Sequence, residues 1–421
     1  LSAGQCRVSF LPVPSGSTIL LLALLFSQGD ALRLLREMDL NSPPHQYYSR
    51  EPKDRFSLLQ KKIDAGTVPL DRSSEKAFLK SLLDALEIPA SSQMLVFSTT
   101  SLQLSLITPA NPRALYFNED TYLGFIPGGK IEIVSIDPEL GGIFYIMDVP
   151  RSSQGSLYIE RSRRCMNCHS GSETGYVPGL NIKSVIPGTR GGSLESFRVD
   201  LTGHDIPLSE RFGGWYLTGA ADWTNHWANA IGRMYQGTLT REVVPPGDRF
   251  SFEKYLVASS DILPQLIHEH QAGFVNRALQ AAYLARIYES DHENLTPAHQ
   301  AEIDRLAQEL CRYLLFANEA PLPPGGFVGD SQFKEDFLRS RKSASSGSSL
   351  RDLDLKRRLF KYPCSYMVYS AQFAALPPLV KNAVLVELKK QLSEHSTMAH
   401  ISLNDRNEIS QILSETLPGF P

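Results

Sequence analysis

Residues 121–147 read TYLGFIPGGKIEIVSIDPELGGIFYIM. Three short runs rich in branched and aromatic residues lie in this stretch: Thr121-Tyr-Leu-Gly-Phe-Ile, Lys130-Ile-Glu-Ile-Val and Gly142-Ile-Phe-Tyr-Ile-Met. Such residues suit a pleated, half-buried backbone, and the Pro127-Gly-Gly and Asp137-Pro138 breaks between the runs are turn chemistry. Met94-Leu-Val-Phe-Ser-Thr-Thr-Ser and Ala114-Leu-Tyr-Phe extend the pattern upstream, parted by Thr108-Pro109, Asn111-Pro112 and Asn118-Glu-Asp. The spacing predicts an antiparallel β-meander. Before it, Phe78, Leu79, Leu82, Leu83 and Leu86 recur at helical spacing behind Ser73 and Ser74, which predicts a capped helix from Ser73 to Ile88. Residues 45–160 therefore read as a helix plus a β-rich domain.

The meander leads straight into Cys165-Met166-Asn167-Cys168-His169. C-x-x-C-H is the spacing of covalent c-type haem attachment. Two thiols three positions apart can each form a thioether to a haem vinyl group, and His169 then falls under the iron as its proximal ligand. A closed zinc site wants four ligands, often from a second Cys pair, and none follows. A redox C-x-x-C pair would sit in a βαβ setting, which the surrounding pattern does not offer. One covalent haem c on Cys165 and Cys168, with iron on His169, is the expectation.

Around the motif, 161–250 is rich in glycine, Trp and short polar turns and reads as an irregular segment packed around the haem. From 251 to 421 the chain is mainly helical. Ser259 to Tyr288 is one long amphipathic pattern interrupted near its start by Pro264, and Thr296-Pro297 opens a helix to about Phe316. Two more helices are predicted near 379–393 and 405–416. The fold class is α+β, with a meander, a haem segment and a helical C-terminal half that covers the haem.

Arg7 followed by the eight apolar residues Ile19–Phe26 and then by Gly29 and Ala31 has the layout of a signal peptide over residues 1–31. Eight apolar residues are too few to span a bilayer, and no other stretch is long enough, so the mature chain is expected to have no membrane span. Export to a bacterial periplasm agrees with haem attachment. A net charge of −3 gives no reason to expect nucleic acid as a partner. Cys311 and Cys364 form a disulfide in one reading and are two separate buried thiols in the other.

The far side of the iron takes a methionine, a histidine or nothing. Met234, Met367 and Met398 follow the motif. His270 shares a helical face with Leu266, Ile267 and Phe274 and should point inward, whereas His268 is about 200° away around the axis and should face elsewhere. His204 and His226 lie in the glycine-rich segment, where loops near a cofactor supply ligands or supporting groups. His270, His204 and His226 are therefore the candidates for a distal ligand or a distal-pocket group. Arg161, Arg163, Arg164, Lys183, Arg190 and Arg198 suit haem propionates or a solvated basic face. Trp215, Tyr216, Trp223 and Trp227 suit porphyrin contacts or a plain aromatic core.

Arg164-Cys-Met-Asn-Cys-His, Val177-Pro-Gly, Glu210-Arg-Phe-Gly-Gly-Trp-Tyr-Leu-Thr-Gly and Glu269-His-Gln resemble blocks of a family of exported mono-haem cytochrome c-domain proteins of environmental bacteria. Leu95-Val-Phe-Ser and Tyr362-Pro-Cys-Ser-Tyr-Met-Val-Tyr-Ser are similar to further blocks. The resemblance runs from about Leu95 to the C-terminus and implies one haem c in a large scaffold, with no substrate supplied. His204, His226 and Glu269-His270-Gln271 fall in its blocks, although Trp227 and Ala228 stand where the family often has glycine. Two function classes compete. One is an electron carrier serving a redox partner protein. The other is a haem enzyme or small-ligand sensor (peroxidase-like or gas-binding) with an open distal site, an unknown small-molecule substrate, and Glu269 and His270 handling protons. Most single C-x-x-C-H chains move electrons, which favours the carrier.

Overall fold

The computed structural model describes residues 31–150, 157–196, 202–219, 223–290 and 295–420. The expected signal peptide lies outside them apart from Ala31. The meander is present. Strands β1 (Met94–Val96), β2 (Arg113–Phe117), β3 (Thr121–Phe125), β4 (Ile131–Asp137), β5 (Gly141–Met147) and β6 (Ile159–Arg161) pair in succession, all antiparallel. A seventh strand, β9 (Trp215–Tyr216), comes from beyond the C-x-x-C-H run and pairs with β1 through Leu95↔Tyr216 and Val96↔Trp215.

The period of two divides the sheet into two faces. One carries Leu95, Tyr116, Leu123, Ile133 and Tyr145, which bury against Phe56 of helix α1 (Arg55–Asp64) and Phe78, Leu79, Leu82 and Leu83 of α2 (Glu75–Ala85). Asp54 and Ser74 cap these helices by accepting the N–H groups of Phe56 and Ser57, and of Ala77. The opposite face carries Met94, Phe117, Tyr122, Val134 and Phe144.

Across that second face runs α4 (Ile262–Ser290). The Tyr122 hydroxyl donates to Gln271 Oε1 (3.2 Å) near its start, and the Tyr283 hydroxyl donates to the Leu140 carbonyl (2.8 Å) near its end. On its other side lie α5 (Pro297–Leu314), opened by the Thr296 cap, and the C-terminal helices α6 (Pro378–Gln391) and α7 (Leu403–Thr416). α4 is therefore buried all round, where the sequence pattern predicts an amphipathic helix. Its polar residues Gln265, His268, Glu269, His270, Gln271 and Asn276 are enclosed with it. Enclosed polar groups must find partners, so this helix organises the polar interior. No helix among the described residues is long and apolar enough to cross a membrane.

The middle segment is largely irregular, but it contributes β9 and two ribbons, β7 (Val185–Pro187) with β8 (Ser193–Ser196) and β10 (Ala230–Tyr235) with β11 (Thr238–Val243). The second ribbon turns through Gln236 (φ 47°) and Gly237 (φ 77°). Two positive φ values in a two-residue loop match the right-handed strand twist.

Candidate haem-binding site

Cys165 to His169 form a single helical turn, α3 (Met166–His169), in which the N–H groups of Cys168 and His169 both donate to the Cys165 carbonyl (3.1 Å each). Positions i, i+3 and i+4 share a face of such a turn, so Cys165, Cys168 and His169 lie on one side. Met166 is buried in the core cluster that includes the α1 and α2 side chains, and Cys165 packs against the same cluster. Both thiols are unpaired, Cys165 half-buried and Cys168 exposed. Burial pushes the Cys165 thiol up, against a hydrogen bond from Ser162.

His169 packs its ring 4.7 Å from that of Phe144, and its Nδ1 lies 3.0 Å from the Gly179 carbonyl. A carbonyl only accepts, so Nδ1 carries the proton and the Nε2 lone pair is left free in the neutral ring. Burial holds the ring's pKa below its ordinary value, against the bond to Gly179.

The loop that supplies this carbonyl is pinned from several sides. The Gly179 N–H returns to the His169 carbonyl (2.9 Å), and the Pro178 carbonyl accepts from Gly142 of β5 (2.8 Å). Asn276 of α4 accepts the Leu180 N–H and donates to the Leu180 carbonyl, both at 2.8 Å. A Cβ on Gly179 would stand 2.3 Å from Asn276 Oδ1, so glycine is required for the approach.

These residues fit a covalently attached haem. The donor set is two thiols and a neutral imidazole with a lone pair available, all on one side of a turn. Among the described residues no three His, Cys, Asp or Glu side chains converge on a common point. A closed zinc cage needs such convergence, whereas two thioethers at a porphyrin edge and one axial nitrogen do not.

The structure brings His204 and His270 together, away from the haem motif's own contacts. Their Nδ1 atoms are 2.8 Å apart, and His270 Nε2 lies 2.7 Å from Ser365 Oγ. Tyr313 stacks on His204 at 4.0 Å and donates its hydroxyl to the His270 carbonyl (2.9 Å). His270 thus has both nitrogens occupied, and His204 keeps an enclosed, unpartnered Nε2. Burial holds both rings neutral, pulling His270 down to about 3 and His204 well below its ordinary value. Arg211, also buried, donates to the His204 carbonyl (2.6 Å) and sits 3.9 Å from Glu269. His226 lies elsewhere, in an open hollow of ≈ 610 Å³ beside Trp223 and Arg241, and its Nδ1 accepts the Ala228 N–H (3.1 Å).

Of the basic residues flanking the motif, Arg164 and Arg190 are exposed and three others are committed elsewhere. Arg161 donates to the Tyr47 carbonyl (2.6 Å), Arg163 lies over Tyr48, Lys183 pairs with Glu173, and Arg198 is outside the described residues. The cation that sequence reasoning missed is Arg113 of β2. It is paired with Glu132 of β4 at 2.7 Å and has an enclosed, unpartnered Nε. Also missed was His268. Its ring lies 5.3 Å from Phe117 and 5.4 Å from Tyr122, on the α4 side of the sheet, and it borders a small cavity of ≈ 10 Å³ with Met94, Ile182 and Trp215. Burial, helped by Arg113, pulls its pKa down to about 3. The 200° separation from His270 is real, but both directions are interior because the helix is covered on both sides. Comparison with protein-family models, with curated proteins and with solved structures gives no match for this chain.

Proposed function

We propose that this protein is an exported c-type cytochrome that carries one covalent haem and transfers electrons to or from a partner protein. The observation that carries the reading is the Nδ1–H bond of His169 to the Gly179 carbonyl, on a turn that presents Cys165 and Cys168 beside it. Cys165 and Cys168 would hold the haem covalently, and His169 would supply a nitrogen to its iron. The carbonyl fixes the tautomer and orientation of His169 and makes Nε2 a stronger donor. When bound, the haem supplies the one-electron chemistry, and the protein sets its potential through ligand, burial and hydrogen bonding. Cys168 and Asn167 are exposed, which leaves an edge open to a partner. The family resemblance of the motif blocks supports the same reading.

The test is protein matured in a periplasm and assayed as its pyridine haemochrome. Covalent haem is expected in the wild type and its loss in Cys165→Ala/Cys168→Ala. Haem that stays covalently bound in that variant, or a wild type that acquires none, overturns the reading. Carbon monoxide added to the reduced protein then separates the classes. An unmoved Soret band supports the carrier, and a shifted band means an open site and a haem enzyme or sensor.

A further inference from the structure

We propose that the buried ion pair of Arg113 and Glu132 sets the reduction potential of the haem, an inference that rests on the haem reading above. The two side chains come from different strands of the sheet. Arg113 opens β2, Glu132 lies on β4, and Arg113 Nη1 donates to Glu132 Oε2 at 2.7 Å. Strand β3 runs between them and carries Gly124, opposite both Leu115 and Glu132. A Cβ on Gly124 would stand 3.4 Å from Arg113 Cδ and 3.6 Å from Glu132 Oε2. The pair therefore lies over Gly124, on the face of the sheet that also carries Val134 and Phe144.

His169 stands over the same face. Its ring packs on Phe144, whose cross-strand partner is Val134, and Glu132 is the next residue but one along β4 on the same side. Two residues of strand span about 7 Å, so the carboxylate and the imidazole rise from neighbouring rows of one surface. The charges reach the ring: after burial and the Gly179 bond, Arg113 lowers its pKa and Glu132 raises it. Glu132 acts on the Cys165 thiol as well. Glu173 also acts on His169, but its pair with Lys183 is more exposed.

The pair is built to stay charged. Its side chains are only 12% and 17% exposed. Glu132 Oε1 accepts from Ser101 Oγ and from Gln103 Nε2 (3.0 Å), and Gln103 is itself held by the Lys130 N–H, which it accepts at 2.8 Å. Burial alone would push the Glu132 carboxyl up, yet Arg113, Ser101 and Gln103 together hold it below its ordinary value, so it is ionised at neutral pH. Enclosing two charges is costly, and apolar residues of the same volume serve stability as well or better. Ser101, Gln103 and a position without a side chain thus maintain a charge pair that packing does not require. Haem potentials follow the burial and charge around the iron. The iron gains a positive charge on oxidation, so a fixed carboxylate nearby favours the oxidised form and a fixed guanidinium the reduced form.

The experiment uses full-length holoprotein from periplasmic expression, with covalent haem first established by the haemochrome. Its midpoint potential is then read by spectroelectrochemical titration at pH 8. A wild type without haem overturns the haem reading, and this proposal with it. Glu132→Gln keeps the size of the side chain and should raise the midpoint potential with the visible spectrum unchanged. Arg113→Gln should lower it, whereas Arg113→Lys keeps the charge and should stay near the wild-type value. Glu302→Gln breaks another enclosed pair, with Arg305 on α5, and should leave the potential in place. Covalent haem with a potential unmoved in Glu132→Gln overturns the proposal and leaves the electron-carrier reading intact. A shift of the same sign in Glu132→Gln and Arg113→Gln overturns it too, as does an equal shift in Glu302→Gln, since each reports a disturbed fold rather than a charge. Should Glu132→Gln not accumulate as holoprotein, Arg113→Lys against Arg113→Gln decides, and equal potentials there overturn the proposal.

Discussion

Asn276 holds the Leu180 backbone at both its N–H and its carbonyl, one residue from the carbonyl that orients His169. Asn276→Ala strands two enclosed backbone groups, which should cost about 2–4 kcal/mol of unfolding free energy from two lost partners, read by urea denaturation. Haem attachment should survive, because the cysteines do not touch Asn276, while the axial signature of His169 broadens. His270→Ala makes a contrasting case. It breaks the links to His204 and Ser365 and leaves a void, so a loss of about 2–4 kcal/mol is expected with the visible spectrum of the holoprotein unchanged. A visible spectrum that changes in His270→Ala would instead place the His204–His270 pair at the haem. At this scale the sequence was readable where chemistry forces a spacing, as in Cys165, Cys168 and His169. It was silent on Arg113 and Asn276 and turned His268 away from the interior, because these placements depend on which strand, loop or helix the fold brings beside them.

The helices show the same division. Ser73 and Ser74 ahead of the Phe78–Leu86 pattern, and Thr296-Pro297 ahead of Ile303, announce helix starts in local chemistry, and both starts are present. Thr296→Ala removes the hydroxyl that accepts the His299 N–H (3.2 Å). About 1 kcal/mol of stability should go with it, seen as a lower thermal midpoint with no change in the haem spectrum. The long helix α4 was legible as a helix but not as an interior one, since an apolar stripe reports one buried side and says nothing of cover on the other. Strand β9 was not legible at all. Two residues carry no period, and its partner β1 is more than a hundred positions upstream.

For the molecule as a whole, buried histidines set the response to acid. His45, His204 and His270 are enclosed and neutral, His45 being pulled down to about 4 and His270 to about 3, chiefly by burial. In the unfolded chain each takes a proton near pH 6.5. Between about pH 6.5 and 4.5 the unfolded state therefore binds more protons than the folded one, and stability falls as pH falls, by about 1.4 kcal/mol per unit for each histidine. Glu319 works the other way, since burial pushes it up to about 7 and the folded protein holds its proton through that window. With His226 and His268 also lowered by burial, the histidines outweigh the carboxyl groups that burial raises (Glu319, Asp54 and Asp261), so the urea midpoint should be lower at pH 5 than at pH 7. An equal or higher midpoint at pH 5 would show that these rings are protonated in the folded state.

The pairing of β9 with β1 has a consequence for how the chain is made. The sheet is completed by a strand that lies downstream of the C-x-x-C-H turn, so the groups on the edge of β1 that faces away from β2 stay unpaired until the segment carrying this turn has been laid back across the sheet. An open strand edge of that kind invites edge-to-edge association with other copies. Long-range pairing is also slow to form. Closure of the sheet thus waits on a long stretch of chain, and a polypeptide halted before Trp215 would present an exposed template for aggregation.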